Sequence, residues 1–184
     1  MKSLKEIHQL EKSGNWTQAI DALEERLKND PMEYESVLRL SFILWYLSIE
    51  EGCMKHGLDT SRFVGRVREL FFATKDRFKD KSEYLFYFGL MISLLPWEFV
   101  PKEERESDKL GEKTKEWDRV AEGLFQRAAS GDANDIWVIM ANRSLLDTQS
   151  DEFKKWDRLK TQDRFKKALT GRGLLGNYYL EPDW

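Results

Sequence analysis

Apolar positions recur at steps of three and four residues along nearly the whole chain, and runs that alternate apolar with polar residues are scarce, so the pattern predicts an all-α protein. The first helix is expected from about Ser3 to Lys12. It stops at Ser13-Gly14, because glycine readily takes the positive φ of a helix C-terminus. The second helix starts at Asn15 and puts Trp16, Ala19, Ile20, Leu23 and Leu27 on one face. Asp30-Pro31 closes it, since proline disfavours helix in the residue before it. A third helix carries Val37, Leu40, Ser41, Leu44, Tyr46 and Leu47 and runs on to Cys53 or Lys55, before His56-Gly57. A fourth is expected from about Thr60 to Lys79, burying Phe63, Val67, Leu70, Phe71 and Phe78, with residues 82 to 95 as its partner. Trp117, Val120, Ala121, Leu124, Phe125 and Ala128 mark another helix, ended by Ser130-Gly131-Asp132. Ile136 to Leu146 follows, and Ser150 or Asp151 caps a last helix reaching about Leu169 through Phe153, Trp156, Leu159 and Phe165. The pattern therefore predicts eight helices in four antiparallel pairs.

The stretch from Lys12 to Pro31 resembles the second half of a tetratricopeptide repeat. Gly14, Trp16, Ala19, Leu23, Leu27 and Pro31 stand at that family's small, aromatic, small, bulky, bulky and proline positions. Ala121, Phe125 and Ala128 match the same pattern further along, and Ser41 stands where the family has glycine. The match departs at Arg26, where the family prefers alanine, and at Ile7, where it has a small residue. The resemblance implies helical hairpins stacked in a short right-handed superhelix, with a concave face built from the first helix of each pair. By the same resemblance, the positions facing that groove are His8 in the first repeat and Glu35, Leu38, Phe42 and Trp45 in the second.

Composition narrows the picture. The chain has 184 residues, 41% hydrophobic and 34% charged, which is the size of one domain. We read residues 1–184 as a single helical domain, with 1–95 and 112–184 as candidate halves joined by a charged loop, 96–111. Pro96 to Leu110 holds Pro101 and five acids, which suits an exposed loop or short lid. One cysteine excludes an internal disulfide framework, and two histidines are too few for an imidazole metal cage, so neither metal nor cofactor is expected. The first nine residues contain no signal-peptide core, which makes the cytoplasm the expected compartment. The longest apolar stretch, Tyr84 to Leu95, is shorter than the roughly 20 residues that span a bilayer, and no membrane association is expected.

Motifs for chemistry are few. Cys53 and His56 lie three apart, yet no acid is placed to orient the imidazole. A small buried cysteine followed by a histidine near a helix C-terminus is the simpler reading. Gly171-Arg172-Gly173-Leu174-Leu175-Gly176 has the spacing of a dinucleotide fingerprint, but a helix precedes it and no βαβ unit surrounds it. It reads as a helix stop followed by a flexible tail. The acids between 103 and 118 stand among lysines in a polar segment, without the apolar surroundings that raise a general acid's pKa. No enzymatic activity is expected.

What remains is binding. The expected function is a non-catalytic protein–protein interaction protein of helical-repeat type. Its favoured form is a toxin-neutralising immunity protein that masks a basic toxin domain through charge complementarity, given a net charge of −3. The partner-binding candidates are the groove positions His8, Glu35, Leu38, Phe42 and Trp45, with the tail aromatics Tyr178, Tyr179 and Trp184; for the tail, docking on the final hairpin as a cap is the alternative. Phe42 and Trp45 serve equally well as core. The alternative function is RNA or DNA binding. Residues 61–81 hold seven bases and three acids, and 151–172 hold eight bases and four acids. Arg62, Arg66, Arg68, Lys154 and Arg158 would meet phosphates there. A pI near 5.6 weighs against that partner.

Overall fold

The computed structural model describes residues 1–49, 60, 62–145, 150–151 and 163–180 of the chain. Among them are eleven helices and no strand, so the protein is all-α as the periodicity predicts. The helices are α1 (Leu4–Lys12), α2 (Trp16–Asn29), α3 (Tyr34–Ile49), α4 (Phe63–Thr74), α5 (Ser82–Leu94), α6 (Pro96–Phe99), α7 (Lys102–Arg105), α8 (Leu110–Ala129), α9 (Ile136–Leu145), α10 (Asp163–Leu169) and α11 (Leu174–Leu180). The chain divides into two compact units. One comprises Met1–Leu70 with Lys160–Trp184, and the other Phe71–Leu159.

In the first unit, local chemistry sets the first hairpin. Ser3 caps α1 in a capping box, its hydroxyl accepting from the Glu6 N–H while the Ser3 N–H donates to the Glu6 carboxylate at 2.7 Å. The Ser3 N–H first, and then the Ser3 hydroxyl, which donates to the same carboxylate oxygen at 2.7 Å, hold the Glu6 carboxyl below its ordinary range. Gly14 takes φ +70° in the turn to α2, and α2 ends at the extended Asp30 before Pro31. Helix α3 is apolar nearly all round, and every residue from Ser36 to Trp45 is buried, as such a helix must be. α2 packs against α1 and α3.

The C-terminal segment completes this unit. α11 packs on α3, α1 and α10, and Leu174, Leu175, Gly176 and Asn177 are buried. The stretch expected to be a flexible tail after the glycines is thus a docked helix. It reaches α1 and α3 as well as the final helix onto which it was expected to cap. Gly171 and Gly173 have φ +81° and +65°, the left-handed region that disfavours other residues. A side chain at Gly173 would also collide with the Glu11 carboxylate. The glycine spacing that mimics a nucleotide loop therefore lets the backbone turn and approach a buried ion pair.

That pair joins α1 to α3. Arg39 donates from Nε (3.1 Å) and Nη2 (2.5 Å) to Glu11 Oε1, and from Nη1 to the Leu4 carbonyl at 3.1 Å. The Leu174 N–H donates to Glu11 Oε2 at 2.7 Å. Both side chains are buried, at 1% and 0% exposure. Burial pushes the Glu11 carboxyl up, while the charge and hydrogen bonds of Arg39 and the Leu174 N–H pull the other way.

In the second unit α5 is central, buried from Tyr84 through Gly89, with α8, α9 and α6 packed on it. Gly89 admits the Phe125 ring of α8, since a Cβ there would lie 3.0 Å from Phe125 Cε1. Helix α4 ends at Thr74 rather than at the expected Lys79, and 75–80 form turns. Tertiary contacts explain the early stop. Thr74 Oγ1 and Tyr84 Oη hydrogen-bond at 2.9 Å, and the turn brings the buried Phe78 ring 5.5 Å from that of Tyr84. Burial pushes the Tyr84 phenol well above its ordinary pKa.

The charged segment 96–111, expected as an exposed loop, holds two short helices and is anchored at its start, while no residue from 101 to 111 is buried. Pro96 opens α6 at a position where its fixed φ suits a helix start. Phe99 and Val100 are fully buried, and the Phe99 ring lies 5.3 Å from Trp117 on α8. Arg105 ties the segment to itself, donating to the Val100 carbonyl at 2.8 Å, to Glu98 Oε2 at 2.6 Å and to the Glu98 carbonyl.

Candidate functional site

The second unit carries an open groove of about 550 Å³. The C-terminal turn of α4 and the turns after it form one wall, and α8 forms the other. Residues 116, 117, 120, 123, 124 and 127 of α8 line it at helical spacing, so a single face of a long amphipathic helix supplies the wall. Phe71, Tyr84, Leu85 and Leu124 make the buried floor. Above them Phe72 is 51% exposed and Val120 37%, with Trp117 half-buried between Phe71 (6.3 Å), Phe72 (5.9 Å) and Phe99. Exposed aromatic and aliphatic groups gathered at one place cost hydration free energy unless something covers them.

Gly123 sits in the interior of α8 and lines the groove, and a Cβ there would meet nothing within 4 Å. Glycine at such a position costs about 0.8–1 kcal/mol of helix stability relative to alanine. No internal contact requires it, so the room it leaves belongs to the groove.

The rim is charged. Lys75, Lys79, Arg119 and Arg127 provide four cations, and Asp76 and Glu116 two anions, all of them exposed. Lys75 Nζ stands 5.2 Å from the centre of the Phe72 ring, a cation–π geometry. Arg127 donates to the Lys79 carbonyl at 2.7 Å, which fixes its guanidinium at the end of the groove. Glu116 Oε2 accepts from Lys113 at 3.2 Å, a hydrogen bond that holds the Lys113 ammonium above its ordinary pKa. Among the described residues no group of three or more histidine, cysteine, aspartate or glutamate side chains is placed to hold a metal ion.

The positions singled out from the sequence fall elsewhere. Leu38, Phe42 and Trp45 are 0% exposed and form the core of the first unit. Tyr178 of α11 closes over them with its ring 5.3 Å from Phe42 and 6.3 Å from Trp45, and Tyr179 stands edge-on to Phe165 at 6.3 Å. Glu35 is ion-paired with Arg172 at 2.5 Å, and His8 is half-buried on α1. Phe42 and Trp45 of α3 thus pack against Tyr178 of α11, while Tyr179 meets α10 and His8 stays on α1. Of the basic set, Arg62 is exposed and Arg68 half-buried. Arg66 is bidentate to Glu24 at 2.8 Å and bonded to Glu69 at 3.1 Å. Cys53, His56, Lys154, Arg158 and Trp184 lie outside the described residues.

The groove residues went unselected although two signals for them are present. Trp117 and Val120 sit at one edge of the apolar stripe of α8, where a wide stripe outruns the core it covers. Gly123 interrupts an otherwise good helix-forming run. The chain matches no protein-family model, and comparison with curated proteins and with solved structures finds no match to it.

Proposed function

We propose that this chain is a non-catalytic protein-interaction module whose α8 groove seats a segment of a partner polypeptide. The observation that carries the reading is the groove itself: an apolar floor with half-exposed Phe72 and Val120, bordered by solvated charges. That is the anatomy of a binding patch, with an apolar centre and a polar rim. Small-molecule pockets enclose most of their ligand's surface, whereas this groove is open along α8 and suits an extended segment. A catalytic site needs titratable groups desolvated enough to shift and converge. Here every charged group of the rim is exposed to water. Helical hairpins of tetratricopeptide type, which the Lys12–Pro31 stretch resembles, fit the same kind of role.

The test is a native pull-down with wild type and Gly123→Leu. A Cβ at this position points into open space, so the leucine built on it occupies the groove. The expected result is a stoichiometric polypeptide retained by wild type and lost by Gly123→Leu, while the melting temperature of the variant is at or above wild type. Equal retention by the two proteins removes the groove from the function.

A further inference from the structure

We infer that the occupant of the α8 groove is an acidic peptide segment that inserts an apolar anchor residue over Gly123; the inference rests on the interaction reading given above. The chain as a whole is acidic, with a net charge of −3, yet the groove's rim carries four cations against two anions. None of Lys75, Lys79, Arg119 and Arg127 is ion-paired with a carboxylate among the described residues. One of the two anions, Glu116, already faces Lys113 at 3.2 Å, which leaves Asp76 alone to offset the cations. Local charge, more than net charge, decides which partner approaches, because at physiological ionic strength fields decay within about 8 Å. The rim therefore favours carboxylates. Inside it, the open space above Gly123, between Val120 and the Phe72 ring, receives an aliphatic or aromatic side chain, the kind of anchor that dominates binding energy.

A single-stranded nucleic acid would also bring negative charge, but it gains its affinity by stacking bases on free aromatic faces. Phe72 already carries the Lys75 ammonium over its ring, and Trp117 is engaged by three phenylalanines. Asp76 would repel a phosphate backbone as well.

The experiment sorts a display library of short random peptides against the full chain, in parallel with Gly123→Leu and with the double variant Lys79→Glu/Arg119→Glu, and adds a labelled oligothymidylate by anisotropy. The expected outcome is enrichment of peptides that carry several carboxylates around one or two large apolar residues. Their affinity falls with added salt, drops about tenfold or more on reversing the two rim charges, and disappears in Gly123→Leu. Circular dichroism melts of both variants, expected to be no lower than wild type for Gly123→Leu and close to it for the double variant, separate lost binding from lost fold. Enriched peptides that are basic or neutral, yet still lost in Gly123→Leu, overturn the acidic occupant and leave the groove reading in place. Enrichment indifferent to Gly123→Leu, or no enrichment at all, overturns both. Oligothymidylate binding that Gly123→Leu abolishes transfers the groove to nucleic acid.

Discussion

Single residues carry most of what is unusual in this chain, and the Glu11–Arg39 pair carries the most. Removing one partner of a buried ion pair strands the other charge in a low-dielectric interior and costs about 3–5 kcal/mol, whereas replacing both with apolar groups is far milder. Arg39→Met is accordingly expected to lower stability by about 3–5 kcal/mol in urea unfolding. Glu11→Leu/Arg39→Met should recover part of that loss, short of wild type, because the Leu174 N–H then loses its acceptor, at about 1–3 kcal/mol. A second prediction concerns pH. Glu33 accepts hydrogen bonds from Arg26 and Ser36, which hold its carboxyl below the ordinary value of 4.5. A group whose folded pKa is depressed stabilises the fold above its unfolded pKa, and the contribution drains away as pH falls through the folded one. Wild type is therefore expected to be more stable than Glu33→Gln at pH 7, with the gap closing below about pH 4.5 in paired thermal melts. Neither pairing was legible in the sequence. Glu11 and Arg39 are 28 positions apart, and only the packing of α1 against its neighbours makes them partners.

At the scale of elements, helices bounded by local signals were legible. Ser3 and Gly14 bracket α1, Asp30-Pro31 ends α2, and Ser130-Gly131 ends α8, each through a preference of one or two residues. Elements whose ends depend on partners were not. No breaker separates Thr74 from Lys79, and the helix stops because the Tyr84 hydroxyl and ring hold Thr74 and Phe78. Likewise 96–111 reads as a polar linker, since charges outnumber its apolar groups. Yet Phe99 and Val100 alone suffice to anchor it once Trp117 offers a surface. The amphipathic face of α8 was legible as a face. Which edge of it stays open was not, because period alone cannot say how much of a stripe the rest of the protein covers. That same open edge is why Gly123→Leu should melt no lower than wild type.

At the scale of the whole molecule, the chain's two ends share one unit, and the middle forms the other. The first unit thus needs its last helix. In a chain ending at Leu169, the α3 surface over Phe42 and Trp45 loses the ring of Tyr178 and the buried Leu174 and Leu175. The two leucines alone account for about 3–6 kcal/mol at about 1.5–3 kcal/mol each. Such a truncation is expected to unfold at much lower urea with Trp45 exposed. A midpoint equal to that of the full chain would show that α11 contributes nothing to the core. No described helix is long and apolar enough to cross a membrane.

The sequence by itself determined the helical class, the starts and stops of the helices bounded by local signals, and the amphipathic face of α8, because these follow from the helical period and from preferences of neighbouring residues for particular backbone angles. Tertiary structure decided which aromatics became core and which stayed at the surface. Phe42 and Trp45 resemble Phe72 and Trp117 in residue type, each on the apolar side of a helix. The first two are closed over by α11, from the far end of the chain, while the second two border a groove that nothing described in the second unit fills. Burial is settled by what packs on a residue, and for these four the packing partners lie up to 136 positions away, beyond the reach of any local pattern.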